Sequence, residues 1–161
     1  RRPPISTLFP YTTLFRSLHT CITEIQDKHL NPKILIAGDF NDQPSNESLS
    51  TYLNAKEVKE YPEKNKIYNL SLPWSNNEIK TLKHQSQWSV FDQILVSGSL
   101  MESGSKLFTK SDWAQIITLP FLLEKDEKFG GLRLNRTYIG YRYHGGFSDH
   151  LPVLLKIRTN L

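Results

Sequence analysis

Cysteine occurs once in the 161 residues, at Cys21. One thiol excludes an intrachain disulfide framework and a cysteine-based zinc site. No apolar run approaches the ~18 residues that a membrane-crossing helix requires. Internal repeats and interdomain linkers are absent too, so the length allows one domain at most. Charge of one sign is scarce: 20 Lys+Arg stand against 16 Asp+Glu, a formal balance of +4. What the chain does contain is 38% hydrophobic and 11% aromatic residues. That is enough burial to offset chain entropy, which argues against disorder.

A basic balance invites an anionic partner, but the positions of the charges matter first. Arg1, Arg2 and Arg16 fall within residues 1–17, together with three of the nine prolines. The stretch from Thr7 to Ser17 resembles the in-frame translation of a sequencing-adapter oligonucleotide, and such a scar is set aside from fold reasoning. A signal peptide is the rival reading, but Pro3, Pro4, Pro10 and Arg16 interrupt any apolar stretch. Without those three arginines the +4 becomes +1, and overall charge says almost nothing about partners. Residues 1–17 are therefore expected to stand outside the fold and residues 18–161 to form it.

Leu18, Cys21, Ile22, Ile25 and His29 recur at helical spacing, which predicts an amphipathic helix up to Asn31-Pro32 with Cys21 as a small buried hydrophobe. Ile34-Leu35-Ile36-Ala37, bounded by Pro32 and Gly38, reads as a buried strand. Gln43-Pro44-Ser45 opens a second helix, capped by Ser45, with Leu49, Tyr52 and Leu53 on its apolar face. Residues 56–66 are charged and aperiodic, hence a solvated loop. Thr81–His84 and Trp88–Val96 suggest a hairpin around Gln85-Ser86-Gln87. Residues 100–123 are weakly patterned, and their Ile116-Ile117-Thr118-Leu119 run suits either strand or buried helix. Residues 151–157 read as a final strand, with Pro152 tolerated near its entry.

Three short motifs carry chemistry. Gly38-Asp39-Phe40-Asn41-Asp42 follows the apolar strand. If the backbone stays extended, Asp39 and Asn41 share a face while Phe40 turns into the core. A carboxylate beside an amide at a strand end can hold a divalent cation or position a water, although an Asp/Asn turn is also ordinary punctuation. Ser148-Asp149-His150 stands at the mouth of the last strand. Asp149 offers hard oxygen ligands suited to magnesium, and His150 a proton donor or a phosphate hydrogen bond. The bland alternative is a turn cap and a surface histidine. In Trp88–Val96, Asp92 alone interrupts an apolar strand. A buried carboxylate is costly unless paired, and a histidine whose tautomer it fixes is the obvious partner. His84 and His150 are the candidates; an edge strand with Asp92 in water is the alternative.

Gly-Asp-Phe-Asn after an apolar strand, Trp-x-x-x-Asp-x-Ile-Leu-Val-Ser, and a terminal Ser-Asp-His are each weak alone. Together, in this order, they make residues 18–161 resemble the C-terminal half of the endonuclease/exonuclease/phosphatase superfamily, the deoxyribonuclease-I-like fold. The resemblance implies an α/β (α+β) chain forming half of a two-sheet sandwich, with one phosphoesterase site at the strand ends and Mg2+ or Mn2+ as cofactor. It implies that Asp39 orients or deprotonates the attacking water, and that Asn41 binds the scissile phosphate or the metal. Asp149 would be a metal-site acid. His150 would hydrogen-bond the phosphate, with Asp92 holding its ring. Such chemistry depends on charge neutralisation and a positioned nucleophile.

Members of that superfamily also carry an asparagine on a first strand, a metal-ligand glutamate on a second, and a mid-chain histidine or tyrosine. None has a counterpart here; Glu24 and His19 lie on the predicted helix and cannot take those roles. The expectation is an N-terminally truncated fragment needing its missing half, with an exposed apolar patch, poor folding and little or no activity alone.

Residues 128–147 contain no acid. They combine Lys128, Arg133, Arg136 and Arg142 with Phe129, Tyr138, Tyr141, Tyr143, His144 and Phe147, directly before Ser148. Basic groups interleaved with aromatics suit a phosphate flanked by a base, sugar or headgroup. Arg133, Arg136, Tyr138, Arg142, Tyr143 and Ser148 are therefore the candidate substrate contacts. The alternative is a hairpin with arginines in water and tyrosines in the core. Three functions follow: a metal-dependent phosphodiesterase or nuclease acting on a phosphate ester, nucleic acid among the candidates; a phosphomonoesterase or lipid-headgroup (phosphoinositide- or sphingomyelin-type) phosphodiesterase; and a non-catalytic binding member. The third is disfavoured because Asp39, Asn41, Asp92, Asp149 and His150 are all present.

Overall fold

The computed structural model describes residues 8–160. Residues 1–7 of the adapter-like segment, and Leu161, lie outside the described residues. One long helix and thirteen short strands, with antiparallel pairing between strands throughout, make an α+β chain. The helix, α1, spans Leu8–Lys28. The strands are β1 Leu35–Asp39, β2 Ile67–Asn69, β3 Leu82–His84, β4 Gln87–Ser89, β5 Asp92–Ser97, β6 Leu107–Phe108 and β7 Ala114–Ile116. They continue as β8 Leu123–Lys125, β9 Leu132–Leu134, β10 Tyr138–Ile139, β11 Arg142–Tyr143, β12 Val153–Leu155 and β13 Arg158–Thr159.

The organising unit is a three-stranded sheet in the order β1-β5-β2. Side chains alternate along β5, so Leu95 joins the cluster built on α1 while Ile94 and Val96 join the opposite cluster. Phe15, Ile22, Leu49, Leu53 and Ile67 fill the helix side. Leu70, Trp74, Val90 and Leu100 fill the other, with Ala114 of β7 and Val153 and Leu155 of the paired β12 packed there. β5 is thus apolar on both faces because it is covered on both.

Several expectations need correction. The helix crosses the division drawn at Ser17 without a break, and Phe15 is buried with its ring stacked on Phe40 at 6.0 Å. Including Phe15 rotates the buried stripe to Phe15, Leu18, His19, Ile22 and Gln26. Cys21 therefore faces solvent instead of the core, and Ile25 and His29 are exposed. The strand around Leu35 is not buried: β1 is the sheet edge, and only Ile34 and Ile36, toward the helix, pack inward. The predicted second helix is a single π-turn over Ser48–Tyr52 without a side-chain cap; Leu49 and Leu53 are nevertheless in the core. The long hairpin arm splits at Val90-Phe91, β4 pairing with β3 and β5 joining the sheet. β2, unforeseen, is three residues at the end of a charged loop, too short to show a period. Of the ambiguous run Ile116-Ile117-Thr118-Leu119, only Ile116 lies in a strand, as the last residue of β7, and the other three residues are irregular.

Candidate functional site

The register of β1 against β5 places Asp39 opposite Asp92. By alternation, Asp92 shares its face with Ile94 and Val96, the side on which β12 packs. His150, three residues before β12, arrives on that face. Its Nδ1 lies 2.7 Å from Asp92 Oδ2, the two side chains being 25% and 17% exposed. A carboxylate at that distance accepts the Nδ1 proton and leaves Nε2 as the working nitrogen. His84, the other candidate partner, is exposed at the β3–β4 turn.

The residue that joins these two strands was invisible in the motifs. Thr81 is fully buried. Its hydroxyl accepts the backbone N–H of Phe91 at 3.0 Å and of Asp92 at 3.1 Å, while its carbonyl accepts the N–H of Leu151 at 2.8 Å. One side chain and its own backbone therefore fix the entrances of both halves of the dyad. Ser148 completes the corner: its Oγ accepts the His150 N–H at 3.1 Å. The only sequence signal for Thr81 was a β-branched polar residue opening a predicted hairpin arm.

At the end of β1 the geometry is a turn. Asn41 adopts φ 50, a left-handed conformation that asparagine tolerates, and its N–H bonds Asp39 Oδ1 at 2.8 Å. Asn41 thus leaves the strand, and the shared face inferred from extended backbone does not apply to it. Phe40 does pack inward. Asp42 accepts the side chains of Asn46 and Ser48. From the far side of the sheet, buried Gln93 donates to the carbonyl of Asp42 at 2.7 Å and accepts from Asn69 at 2.7 Å. These amides hold the turn that presents Asp39.

Beside the dyad, Arg136, Thr137, Tyr138, Phe147, Ser148 and Asp149 line a cleft of about 250 Å³. The candidate substrate residues separate at this point. Arg136, Tyr138 and Ser148 belong to the cleft. Arg133 is held at 2.7 Å by Glu124, which also accepts from His144 Nε2 at 2.9 Å. Burial opposes the Glu124 charge, but the hydrogen bonds from His144 and Arg133 outweigh it and keep its pKa below the ordinary carboxylate range. Arg142 and Tyr143 sit on the exposed β10–β11 hairpin, where Tyr143 meets Tyr138 edge-on at 5.5 Å. Neither tyrosine packs in the core.

A family model described as the Endonuclease/Exonuclease/phosphatase family matches residues 13–159. The chain belongs to this family. No curated protein and no solved structure matches it. Membership in the endonuclease/exonuclease/phosphatase family carries a generic hydrolase function of the phosphoesterase or nuclease type, and enzymes of the family are typically divalent-metal dependent. In this member no cluster of ligand side chains marks a metal centre among the described residues. Asp92 Oδ2 is engaged by His150, Asp39 Oδ1 by a backbone N–H, and among the described residues no three His, Cys, Asp or Glu side chains converge as a cation site. A magnesium ion keeps several of its six oxygens as water and is held by only one or two carboxylates, a demand that hard oxygen donors such as those of Asp39 and Asp149 suit chemically.

Proposed function

We propose that this chain carries the phosphate-recognition and proton-handling part of a phosphoesterase, most directly a phosphodiesterase or nuclease that cleaves a phosphate ester with water. The observation that carries the reading is the 2.7 Å contact between His150 and Asp92, residues 58 apart in sequence, at the strand end where Asp39 also emerges. With Nδ1–H committed to Asp92, the imidazolium form of His150 carries a second proton on Nε2, which it donates to a non-bridging phosphate oxygen to stabilise charge developing there. Asp39, with one carboxylate oxygen outside its turn hydrogen bond, accepts a proton from water as the new P–O bond forms. The ester P–O bond breaks, and the leaving oxygen departs as an alcohol after protonation. Arg136 and Asp149 flank the cleft where the ester lies. Asn41 holds the turn that aims Asp39, and Ser148 the one that aims His150.

Dependence on Mg2+ or Mn2+ belongs to the same reading, with Asp39, Asn41 and Asp149 as the oxygen donors on this chain. No three acid or histidine side chains converge on one ion among the described residues, and on this reading the chain by itself has little or no turnover. Assays with a chromogenic phosphodiester in Mg2+ or Mn2+ check this; turnover comparable to complete family enzymes overturns it. The phosphate role is read separately by titrating a non-hydrolysable phosphorothioate diester. His150→Ala lowers affinity at least about tenfold, and an unchanged Kd removes His150 from the site. Salt separates nucleic acid from a headgroup: contacts with several phosphates weaken steeply with ionic strength, one phosphate only mildly.

A further inference from the structure

A second cleft, of about 150 Å³, opens on the other side of Arg136, which lines both. Its floor is the Lys83–Asp126 ion pair at 2.7 Å, with both side chains buried. The Lys83 ammonium is saturated: it donates also to the carbonyls of Leu132 at 2.9 Å and Gly130 at 3.1 Å. Lys83 is therefore a strut, and its charge is cancelled by Asp126. The strut matters for what stands above it. Asp126 Oδ1 accepts the backbone N–H of Lys128 at 3.1 Å and of Phe129 at 3.0 Å, which pins the loop bearing Lys128. Gly130 and Gly131, at φ 79 and 67, close that loop in a conformation that side chains resist.

Arg136 is anchored from below, one terminal nitrogen donating to the Lys83 carbonyl at 3.0 Å. A guanidinium has five N–H donors, so most of its donors remain for a ligand. Among the described residues no ion pair neutralises Arg136 or Lys128, whereas Arg133 on the same wall is paired with Glu124. The cleft thus presents two uncompensated cations on a fixed backbone, with Phe129 and Ile139 as apolar neighbours.

We infer that this cleft is a subsite for a second phosphate on the same substrate, held by Lys128 and Arg136 while the reacting phosphate lies at His150. The inference rests on the phosphoesterase reading. A substrate with two phosphates spans the two clefts across Arg136, and one with a single phosphate cannot. Two sources supply that chemistry: adjacent phosphates of a nucleotide strand, or a bisphosphorylated headgroup.

The test is calorimetric titration of the whole chain at low salt with two ligand pairs. One is thymidine 5′-phosphate against the 5′-phosphorylated dithymidine; the other is inositol 1-phosphate against inositol 1,4-bisphosphate. In at least one pair the two-phosphate member binds about tenfold or more tightly, and which pair shows the gain identifies the source. Lys128→Glu, an exposed change checked by an unaltered Tm, abolishes that gain and leaves the one-phosphate ligand within about twofold. His150→Ala weakens the one-phosphate ligand and keeps a Lys128-dependent gain. No gain in either pair, or a Lys128→Glu variant that weakens one- and two-phosphate ligands equally, overturns the subsite. A His150→Ala variant that leaves one-phosphate binding intact while the gain persists overturns the phosphoesterase reading instead.

Discussion

The corner at Asp92 and His150 and the lobe of residues 120–147 are built in opposite ways. The corner is assembled by backbone hydrogen bonds across long sequence distances: β5 lies in the middle of its sheet, and Thr81 ties it to the entrance of β12. The lobe is assembled by charges: Arg133 and His144 on Glu124, and Lys83 on Asp126 under a glycine turn. Its strands are only two or three residues long and hold few buried side chains. Backbone ladders position atoms and resist pH and salt. Ion pairs position a loop only while both partners are charged. Under the proposed function, the contrast separates where bond-making chemistry would be held from where a substrate would be recognised.

The strongest way to break the comparison is Lys83→Met. It strands the Asp126 carboxylate without its buried partner, and a broken buried pair is among the costliest single changes. A fall in Tm on the order of 10 °C is expected; a change under about 2 °C would show that the lobe does not depend on the pair.

Next is Thr81→Val, which keeps the shape and deletes the hydroxyl. Two buried N–H donors lose their acceptor, at about 2 kcal/mol in all and a Tm fall of about 5 °C. Stability alone would not separate packing from positioning. The second readout is the Nδ1 proton of His150 in the NMR spectrum, which broadens when Asp92 drifts. A sharp, unshifted proton would remove Thr81 from the dyad's support.

Acid should unpick the lobe before the corner. Hydrogen bonds from Lys83 and from the Phe129 backbone lower the Asp126 pKa from 3.8 to about 2. A depressed carboxylate pKa contributes stability above the unfolded value and loses it as pH falls through the folded one. The contribution is therefore complete above about pH 3.8 and disappears toward pH 2, and Glu124, also lowered, acts in the same direction. Hydrogen exchange followed down the pH scale should open residues 123–134 first; simultaneous opening of β5 would contradict the division.

The smallest effect expected is that of magnesium. A ligand that binds only the folded state raises stability with concentration. Millimolar Mg2+ should shift Tm by less than about 1 °C, since among the described residues no three acids or histidines converge to hold it tightly; a rise of several degrees would reveal a tight cation site here.

What the sequence disclosed follows the same divide. Asp39, Asp92, Asp149 and His150 could be picked out as candidates because each stands out locally, an acid or histidine breaking an apolar strand or standing at its mouth. The sequence left His84 and His150 both open as the partner of Asp92, and only the arrival of His150 on the Asp92 face of β5 decides between them. The face shared by Asp39 and Asn41 failed because strand alternation was extended two residues past the strand, into a left-handed turn. Glu124 and Asp126 were passed over because the basic window was drawn just after them; their partners arrive through hairpin pairing and from a strand about 40 residues upstream. β1 read as buried because an unbroken apolar run specifies burial without saying how many neighbours supply it. Its exposed residues Leu35, Ala37 and Asp39 lie on the face that covers Ile94 and Val96 one strand over.

Phe15 gives the tidy-looking boundary at Ser17 a practical meaning. Its ring is 2% exposed and lies against Phe40, the residue between Gly38-Asp39 and Asn41. Anyone shortening the protein to begin at Leu18 would be performing a core substitution as much as a truncation, comparable to a buried Phe→Ala at about 3–5 kcal/mol. The void would open directly behind the turn that carries Asp39.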